Sequence, residues 1–521
     1  MKETSISLRD ILKSISTLYR ESFYYCAEDN IIHLGRSLYS FYFQEYFNEK
    51  KDLNLIRLVK ENFKLEENIP LIFPGSIKRR NYSTNAIDNG IFLDSICSNF
   101  TIEEIEELKL KPILDEIATN YCAKKIEGKM HVPNQILWSA NGLSKWQKKY
   151  NINKYDNLLK KVIDNFFSAM DNSGQVDYSF NNSNKGLRGP STYYHSRCIA
   201  FIFDILIDLG ILKDFKKKIE LLVLGLVRQY NHKGYKNLSI ETKRYYFHQF
   251  YEIDSFPYDL YVFSIYSKNF DNSFDFLANR AFKFFIDNFS LERNGKFKNW
   301  QCNHVRLSHM AWICKIDKDY LDKISKISFT KKHTYNVPIA EKQTLIPLNV
   351  NGSIYHFLTK KAPLNLFSGG KESGILSVDL KVNNFFKLNY LDYQVLYLKK
   401  LPLLTIKELK HFIYHSIDWI FYKKDLKQFL YLFYYQFLGT IFFKSILRTS
   451  FANIINYKLE NNQIKYSLVL SNFDGTYKEE IGYRTITIKP DKLKILDELF
   501  SKKHKKSEKH TVDLELTQRF I

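Results

Sequence analysis

Weakly polar segments recur along about the first 325 residues, at intervals of roughly 50 to 60 residues. They lie at 30–43, 85–96, 136–146, 192–206, 257–266 and 304–314. The stretches between them, such as 106–126 and 155–170, carry apolar residues three and four positions apart, as amphipathic helices do. An apolar inner helix paired with an amphipathic outer helix, repeated about six times, predicts an α/α toroid. An irregular helical bundle or a solenoid is the alternative.

The last third of the chain has strand patterns instead. Residues 344–359 contain an Asn-Gly pair between two apolar runs, which predicts a hairpin because Asn and Gly readily adopt the left-handed conformations of a two-residue turn. Alternation over 453–488 predicts a three-stranded antiparallel meander, and 369–382 adds a strand. Residues 405–421 predict a helix inserted between strands. The expected arrangement is an antiparallel β-sandwich.

The predicted fold class is therefore α+β and multidomain. Residues 1–328 are assigned to an N-terminal α/α toroid, an incomplete barrel of helix pairs that is the candidate catalytic domain. Residues 329–521 are assigned to a β-sandwich-like domain with an inserted helix. A chain of 521 residues is long enough for more than one core. The basic run at 501–510 is interpreted as a solvated linker before a final strand.

The formal net charge of +21 favours polyanionic partners. Acidic glycans, nucleic acid and an anionic membrane surface all meet that description, and a merely solvated basic surface is the alternative. No nucleic-acid-binding motif appears in the sequence, so nucleic acid is not expected as a partner. The expected partners are an acidic polysaccharide or oligosaccharide, with a peripheral contact to an anionic membrane as a further option.

The N-terminus carries charges throughout and lacks the apolar run of a secretory signal. The expected location is cytoplasmic or peripheral to the membrane, with export that needs no signal left open. None of the six cysteines forms a Cys-x-x-Cys pair, so they are interpreted as reduced thiols of the core. Cys302, His304, His309 and Cys314 do not have a familiar zinc-ligand spacing, and no metal or cofactor is predicted.

The segment 189–206 joins a polar helix start to an apolar helix. Pro190 suits the first turn of a helix, and Gly210 suits its end. Tyr194, His195 and Arg197 then lie in the first two turns, where free N–H groups and the helix dipole favour anions. Arg197 follows Tyr194 by three residues, within side-chain reach.

Two later segments, 243–259 and 299–314, have similar chemistry. A toroid would bring the starts of all inner helices to one end, so these groups are expected to share one cleft. Catalytic roles are assigned to Tyr194, His195, Tyr246, His248 and His304. Substrate-binding roles are assigned to Arg197, Arg188, Arg244, Asn303, Arg306 and His309. Because Tyr is abundant, chance or core packing is the alternative for each segment alone.

This set of side chains suits proton abstraction from a uronic acid. Arg, Asn or protonated His neutralises the carboxylate as an enolate-like intermediate forms. Tyr or His accepts the proton, and a Tyr can protonate the leaving glycosidic oxygen. Elimination cleaves the chain, whereas return of the proton to the opposite face gives C5-epimerisation.

The order of a helical toroid followed by a β-sandwich resembles polysaccharide lyases of the heparinase II/III-like and alginate-lyase-like types. The resemblance implies an Asn/His/Tyr/Arg group in the toroid cleft and β-elimination at a uronic acid. The matching residue types here are Tyr194, His195, Arg197, Tyr246, His248, Asn303, His304 and Arg306. Two alternatives stay open: a glycoside hydrolase that uses two carboxylates among Asp88, Asp94, Asp177, Glu252, Asp254 and Asp259, and a basic scaffold that binds polyanions without turnover.

Overall fold

A computed structural model of the chain describes most of the first 327 residues and a set of strands beyond them. The described ranges are 8–21, 34–62, 64–66, 69–71, 82–128, 132–176, 192–230, 250–290, 303–327, 345–350, 353–358, 374–379, 385–387, 394–398, 446–448, 456–460, 462–470, 479–489, 492–500 and 508–515.

The helices of these ranges are numbered in chain order. They are α1 (Leu8–Glu21), α2 (Leu34–Ser37), α3 (Ser40–Phe47), α4 (Leu53–Asn62), α5 (Tyr82–Asn99), α6 (Ile102–Glu107), α7 (Lys111–Glu116), α8 (Lys124–Glu127), α9 (Pro133–Tyr150), α10 (Asp156–Ser168), α11 (Thr192–Asp208), α12 (Lys216–Val227), α13 (Phe250–Asn269), α14 (Asp275–Ser290), α15 (Asn303–Cys314) and α16 (Lys318–Ser325). A π-helix, Ile117–Ala123, joins α7 to α8, and a 3₁₀ turn, Leu212–Phe215, precedes α12.

Each of the weakly polar segments corresponds to a helix or a helix pair, namely α2 with α3, then α5, α9, α11, α13 and α15. These helices pack in chain order: α5 on α9, α9 on α11, α11 on α13 and α13 on α15. Helix α15 in turn packs against α1, α2 and α3, and both α2 and α3 pack against α5. The series of helix contacts that begins at α2 and α3 therefore ends at α2 and α3 again.

The predicted single amphipathic helix over 106–126 is interrupted. Lys109 has a positive φ of 53°, which ends α6, and the chain restarts at α7 with Pro112 in its first turn. The π-helix then shifts the register before α8 begins. A left-handed residue and a proline outweigh the apolar periodicity here. The predicted helix over 155–170 is confirmed as α10.

Two glycines allow α5 and α9 to approach closely. A Cβ on Gly142 would lie 2.6 Å from the carbonyl oxygen of Gly90, and a Cβ on Gly90 would clash with the backbone of Trp138. The helix backbones therefore touch at this crossing, which a larger residue at either position would prevent. The weakly polar character of both segments follows from this burial.

Aromatic rings fill the middle of the helical part. The indole of Trp138 lies 4.4 Å from the ring of Phe201, and Phe201 lies 5.2 Å from Trp312, centroid to centroid. Tyr258 lies 5.0 Å from Trp312. All four side chains are fully buried. Rings from α9, α11, α13 and α15 thus form one layer, the aromatic layer, that separates two groups of polar side chains.

Beyond residue 344 the described elements are strands. They are β3 (Leu345–Val350), β4 (Ser353–Leu358), β5 (Gly374–Asp379), β6 (Phe385–Lys387), β7 (Gln394–Leu398), β8 (Ile446–Arg448), β9 (Tyr457–Glu460), β10 (Gln463–Leu470), β11 (Glu479–Ile488), β12 (Lys492–Leu499) and β13 (Glu508–Glu515). A short hairpin in the helical part comprises β1 (Lys64–Glu66) and β2 (Ile69–Leu71).

The strand predictions are confirmed in outline. Strands β3 and β4 pair antiparallel as the predicted hairpin and continue into a sheet of order β3-β4-β5-β6. The predicted meander is confirmed as β9, β10 and β11, and it extends through β12 and β13 into a five-stranded antiparallel sheet. Strand β12 was not predicted, because the charged Asp497 follows Leu493 and Ile495 at the next buried position and breaks the apolar alternation. The predicted helix at 405–421 lies outside the described residues.

The five-stranded sheet contains one buried ion pair. Arg484 on β11 donates through Nε and Nη2 to the two carboxylate oxygens of Asp497 on β12, at 2.7 and 2.8 Å. Strand β12 is therefore attached to its neighbour by a two-point ionic contact as well as by the backbone ladder.

Three of the four described cysteines are thiols of the core. Cys97, Cys122 and Cys198 are buried free thiols, as predicted, and Cys314 is half-buried and also free; Cys26 and Cys302 lie outside the described residues. Burial raises the pKa of the Cys198 thiol to about 12.

Among the helices that the structure describes, none has both the length and the apolar character that crossing a bilayer requires.

Candidate functional site

Helix α11 presents Tyr194 and Arg197 on one face and ends as predicted, with Gly210 in the left-handed region at φ 72°. Both side chains are nearly buried, with 7% of Tyr194 and 4% of Arg197 exposed. The Arg197 guanidinium lies 5.4 Å from the centroid of the Tyr194 ring, which confirms the predicted contact within the helix. Pro190 lies outside the described residues.

Arg197 also contacts two helices that are distant in sequence. Its Nη2 lies 3.1 Å from Nε2 of His309 on α15. The other ring nitrogen of His309, Nδ1, lies 2.7 Å from the hydroxyl of Tyr258 on α13. The guanidinium lies 5.2 Å from the Tyr258 ring as well. Tyr194, Arg197, Tyr258 and His309 therefore form one group, the Arg197–His309 cluster, made by three helices.

The contacts determine the protonation of His309. A guanidinium can only donate, so Arg197 donates to Nε2, which must therefore be unprotonated. The imidazole is then neutral with its proton on Nδ1, and that proton is donated to the Tyr258 oxygen. An imidazolium would oppose the guanidinium with like charge. Arg197 is therefore the cation of the cluster, and His309 with Tyr258 holds it in place.

The aromatic layer supports this cluster. Trp138 lies 6.3 Å from the His309 ring, and Phe201 lies 6.0 Å from Tyr258. Rigid rings on this side leave the cluster few alternative rotamers, which favours a fixed position for the guanidinium.

The predicted site residues divide into three groups. The structure brings together Tyr194, Arg197 and His309. His195, 4% exposed, lies one residue from Tyr194 and two from Arg197, so it projects from another face of α11. Arg188, Arg244, Tyr246 and His248 lie outside the described residues. The backbone of Asn303, His304 and Arg306 forms the start of α15, but the positions of these side chains are outside what the structure describes.

Both ring nitrogens of His309 are engaged, one by Arg197 and the other by Tyr258, so neither offers a lone pair to a metal. Within the described ranges, no three His, Cys, Asp or Glu side chains are grouped as a metal site would require.

A second polar group lies on the other side of the aromatic layer. The Lys315 ammonium lies 3.2 Å from both oxygens of Asp94 and 3.0 Å from Asp204 Oδ2. Lys145 lies 3.3 Å from Asp204 and 3.0 Å from Asp208. These five residues from α5, α9, α11 and the end of α15 are called the carboxylate–lysine network.

Phenols complete the network. Tyr42 and Tyr39 donate to Asp94 at 2.8 and 3.1 Å, and Tyr261 donates to Asp204. Burial and the neighbouring carboxylates raise the pKa of all three tyrosines well above the usual value. The phenols therefore remain protonated donors.

The Asp204 carboxylate of the network is held ionised. Burial alone would raise the pKa of Asp204, but Lys145 and Lys315 outweigh burial and lower it to about 2. Burial would lower the pKa of Lys315, but Asp204 and Asp94 raise it. A general acid needs a raised pKa, so Asp204 is suited to holding helices together and unsuited to donating a proton.

Sequence reasoning missed Tyr258 and the network. Tyr258 lies within a segment that was singled out, but nothing in the sequence distinguished it from its many neighbouring tyrosines. The network had a signal: Asp94, Asp204 and Lys145 are charged residues within otherwise apolar segments. A charge in an apolar helix face requires a partner.

No model of a known protein family matches the chain, and no curated protein sequence matches it either.

Proposed function

We propose that the protein is an enzyme that acts on an acidic polysaccharide and cleaves it by β-elimination at a uronic acid. The observation that carries this proposal is the Arg197–His309 cluster, in which a nearly buried guanidinium is held by a neutral histidine and lies over two tyrosine rings. The proposed scaffold is an α/α toroid with a β-sandwich-like domain after it.

The toroid is supported by the order of helix contacts. Each inner helix packs on the next, and α15 returns to α1, α2 and α3. The outer helix α14 packs on the inner helix α13, and α12 packs on both α11 and α13, as an outer layer would. The β-sandwich-like arrangement is supported by two antiparallel sheets of four and five strands, β3–β6 and β9–β13.

The proposed chemistry gives Arg197 and Tyr194 the direct roles. Arg197 binds the uronate carboxylate and stabilises the negative charge that develops when the C5 proton leaves. Tyr194 reacts as the phenolate: it accepts that proton, becomes the phenol, and returns the proton to the glycosidic oxygen. The C5–H and C4–O bonds break, the C4–C5 double bond forms, and the proton ends on the leaving group. His309 and Tyr258 act as positioning residues, because both contact the Arg197 guanidinium and hold it in place.

Access is a requirement of this mechanism. The side chains of the cluster expose 7% or less, so the proposed mechanism requires a rearrangement that admits a sugar ring to Arg197. Substrate should therefore slow the chemical modification of Tyr194, and an empty enzyme should react slowly but measurably.

Two other functions are weaker on the present geometry. A hydrolase would need two carboxyl groups free to transfer protons at one site. Of the carboxyl groups considered for it from the sequence, Asp88 is paired with Arg36, Asp94 with Lys315, and Asp259 accepts from Tyr230. The side chains of Asp177, Glu252 and Asp254 lie outside the described residues. A basic scaffold without turnover would explain the net charge but gives no reason for a cation held so specifically. C5-epimerisation uses the same proton abstraction and differs only in the fate of the intermediate.

The test is formation of unsaturated sugar, read as ultraviolet absorbance, with a panel of uronate polymers. Tyr194→Phe and Arg197→Lys should each lower the initial rate by about 100-fold or more, since each removes a group that acts in the transition state. Tyr483→Phe and Arg57→Lys make the same chemical changes on exposed positions away from the cluster and should retain the wild-type rate.

Three results would reject the lyase. They are products with no unsaturation, full activity of both cluster variants, and salt-sensitive binding of the polymers without any product. Exchange of solvent deuterium into C5 with no chain cleavage would assign the site to epimerisation instead.

A further inference from the structure

A pocket of about 640 Å³ lies at the carboxyl-terminal ends of α5, α9 and α11, away from the Arg197–His309 cluster. We call it the lysine pocket. Its lining residues are Cys97, Ser98, Thr101, Ile102, Glu103, Lys145, Lys148, Lys149 and Asp208.

The three lysines come from one face of α9. Lys148 and Lys149 follow Lys145 by three and four positions, so each of them lies beside Lys145 on that side of the helix. The Lys145 side chain is 15% exposed and belongs to the carboxylate–lysine network, whereas the Lys148 side chain is 55% exposed. Lys148 and Lys149 are therefore the ammonium groups that a ligand in the pocket would meet.

Of the two carboxylates of the pocket, Asp208 is already neutralised by other groups and Glu103 stays ionised. Asp208 accepts from Lys145 at 3.0 Å and from the Ser144 hydroxyl at 3.0 Å, in addition to its contact with Lys148 at 3.1 Å. Lys148 can leave Asp208 without exposing an unpaired buried carboxylate. The pKa of Glu103 is lowered by hydrogen bonds from its own backbone N–H and from Thr101. A ligand anion would thus meet two ammonium groups and one exposed carboxylate.

We propose that the lysine pocket binds a phosphomonoester. Two ammonium groups match the charge of about −1.5 to −2 that a phosphomonoester carries at neutral pH, whereas a carboxylate or a sulfate ester carries one charge. The volume falls within the range of small-molecule sites, about 300 to 1,000 Å³, and exceeds what a phosphate ion fills. Ser98 and Thr101 line the same cavity as the lysines.

Equilibrium dialysis or calorimetry tests the proposal with three probes: a hexose 6-phosphate, inorganic phosphate and a hexose 6-sulfate. We expect the hexose phosphate to bind the intact protein with a 1:1 stoichiometry. Inorganic phosphate and the hexose sulfate should each bind about tenfold more weakly, because one lacks the organic part and the other lacks the second charge. Binding should weaken as the pH falls below about 6, where the phosphomonoester takes up a proton.

Two variants test the location. Lys148→Ala/Lys149→Ala removes both ammonium groups and should weaken hexose phosphate binding by tenfold or more. Ile102→Trp fills the pocket without changing charge, at a side chain that is 39% exposed, and should weaken binding to a similar extent. Lys160→Ala/Lys161→Ala makes the same change of charge on the exposed face of α10 and should bind like the wild type.

The proposal is overturned by the absence of saturable binding to the wild type. Equal binding by the wild type and the two pocket variants would also overturn it, as would equal affinities for hexose phosphate and inorganic phosphate. These measurements record binding and no turnover, so their outcome is independent of the lyase assignment.

Discussion

Arg197 Nη2 lies 3.1 Å from His309 Nε2, although 112 residues separate the two in the sequence. The contact makes the histidine an acceptor and leaves its one proton for Tyr258. A substitution at His309 therefore tests whether the position of the guanidinium matters for turnover.

We expect His309→Gln and His309→Phe to differ. The Gln carbonyl can still accept from Arg197, whereas Phe leaves the guanidinium without that acceptor. The rate of elimination should fall about tenfold for Gln and about 100-fold for Phe, mainly in kcat. Initial rates on the most active polymer of the panel measure this, and circular dichroism confirms that both variants fold. Equal losses in the two variants would contradict a positioning role.

Lys315 should be a major contributor to stability. Lys315→Met leaves Asp94 and Asp204 buried with one fewer cation, so we expect the free energy of unfolding to fall by about 3 to 5 kcal/mol. Urea titration measures the change. Lys326→Met, on an exposed position of the same region, should change stability by no more than about 0.5 kcal/mol.

A compensating variant refines that prediction. Lys315→Met combined with Asp94→Asn removes one charge of each sign, so the double variant should be more stable than Lys315→Met alone. A double variant that loses the full sum of both single effects would show that the two residues do not interact.

Asp204 gives the network a pH dependence with a definite sign. Its pKa of about 2 in the folded protein lies below the ordinary value of 3.8. The stabilisation is complete above pH about 4 and is lost as the pH falls towards 2, because protonation then costs the folded state its ion pairs. The contribution is on the order of 2 kcal/mol.

Urea titrations at pH 5, 4 and 3 check this. The difference in the free energy of unfolding between wild type and Asp204→Asn should shrink as the pH is lowered through this interval. Lys145 and Lys315 remain charged throughout it, so a difference that stays constant would exclude Asp204 as the titrating group.

The crossing of α5 and α9 predicts an intolerance of larger residues. A Cβ on Gly142 would lie 2.6 Å from the Gly90 carbonyl oxygen, so Gly142→Ala should separate the helices and lower the free energy of unfolding by about 1 to 3 kcal/mol. Thermal unfolding measures the loss. For Gly128→Ala the nearest atom is 3.3 Å away, and a smaller effect is expected. A stabilised Gly142→Ala would show that the helices do not touch there.

The positions of the helices in the weakly polar segments could be predicted because burial leaves a direct mark on the sequence. Each weakly polar segment corresponds to α2 with α3, α5, α9, α11, α13 or α15. The Asn-Gly hairpin was predictable for a similar reason, since few residues accept the turn conformation. The break at Lys109 was not, because a left-handed non-glycine residue has no reliable sequence signature.

The site was predictable only in part. The Tyr194–Arg197 contact follows from helix spacing alone, and the structure has it. The pairing of Arg197 with His309 depends on how far α15 is rotated and shifted relative to α11, which a single sequence does not encode locally. Tyr258 could not be selected among 36 tyrosines for the same reason.

The return of α15 to α1 has a consequence for biosynthesis. Helix α1 is synthesised first, and its partner α15 follows about 280 residues later. At 5 to 20 residues per second, the delay between the two helices is roughly 14 to 56 s. During that delay Ile11, Leu12 and Ile15, all completely buried in the finished protein, lack their final neighbour. We therefore expect a chaperone to bind α1 of the nascent chain and to stay bound until translation has passed residue 314.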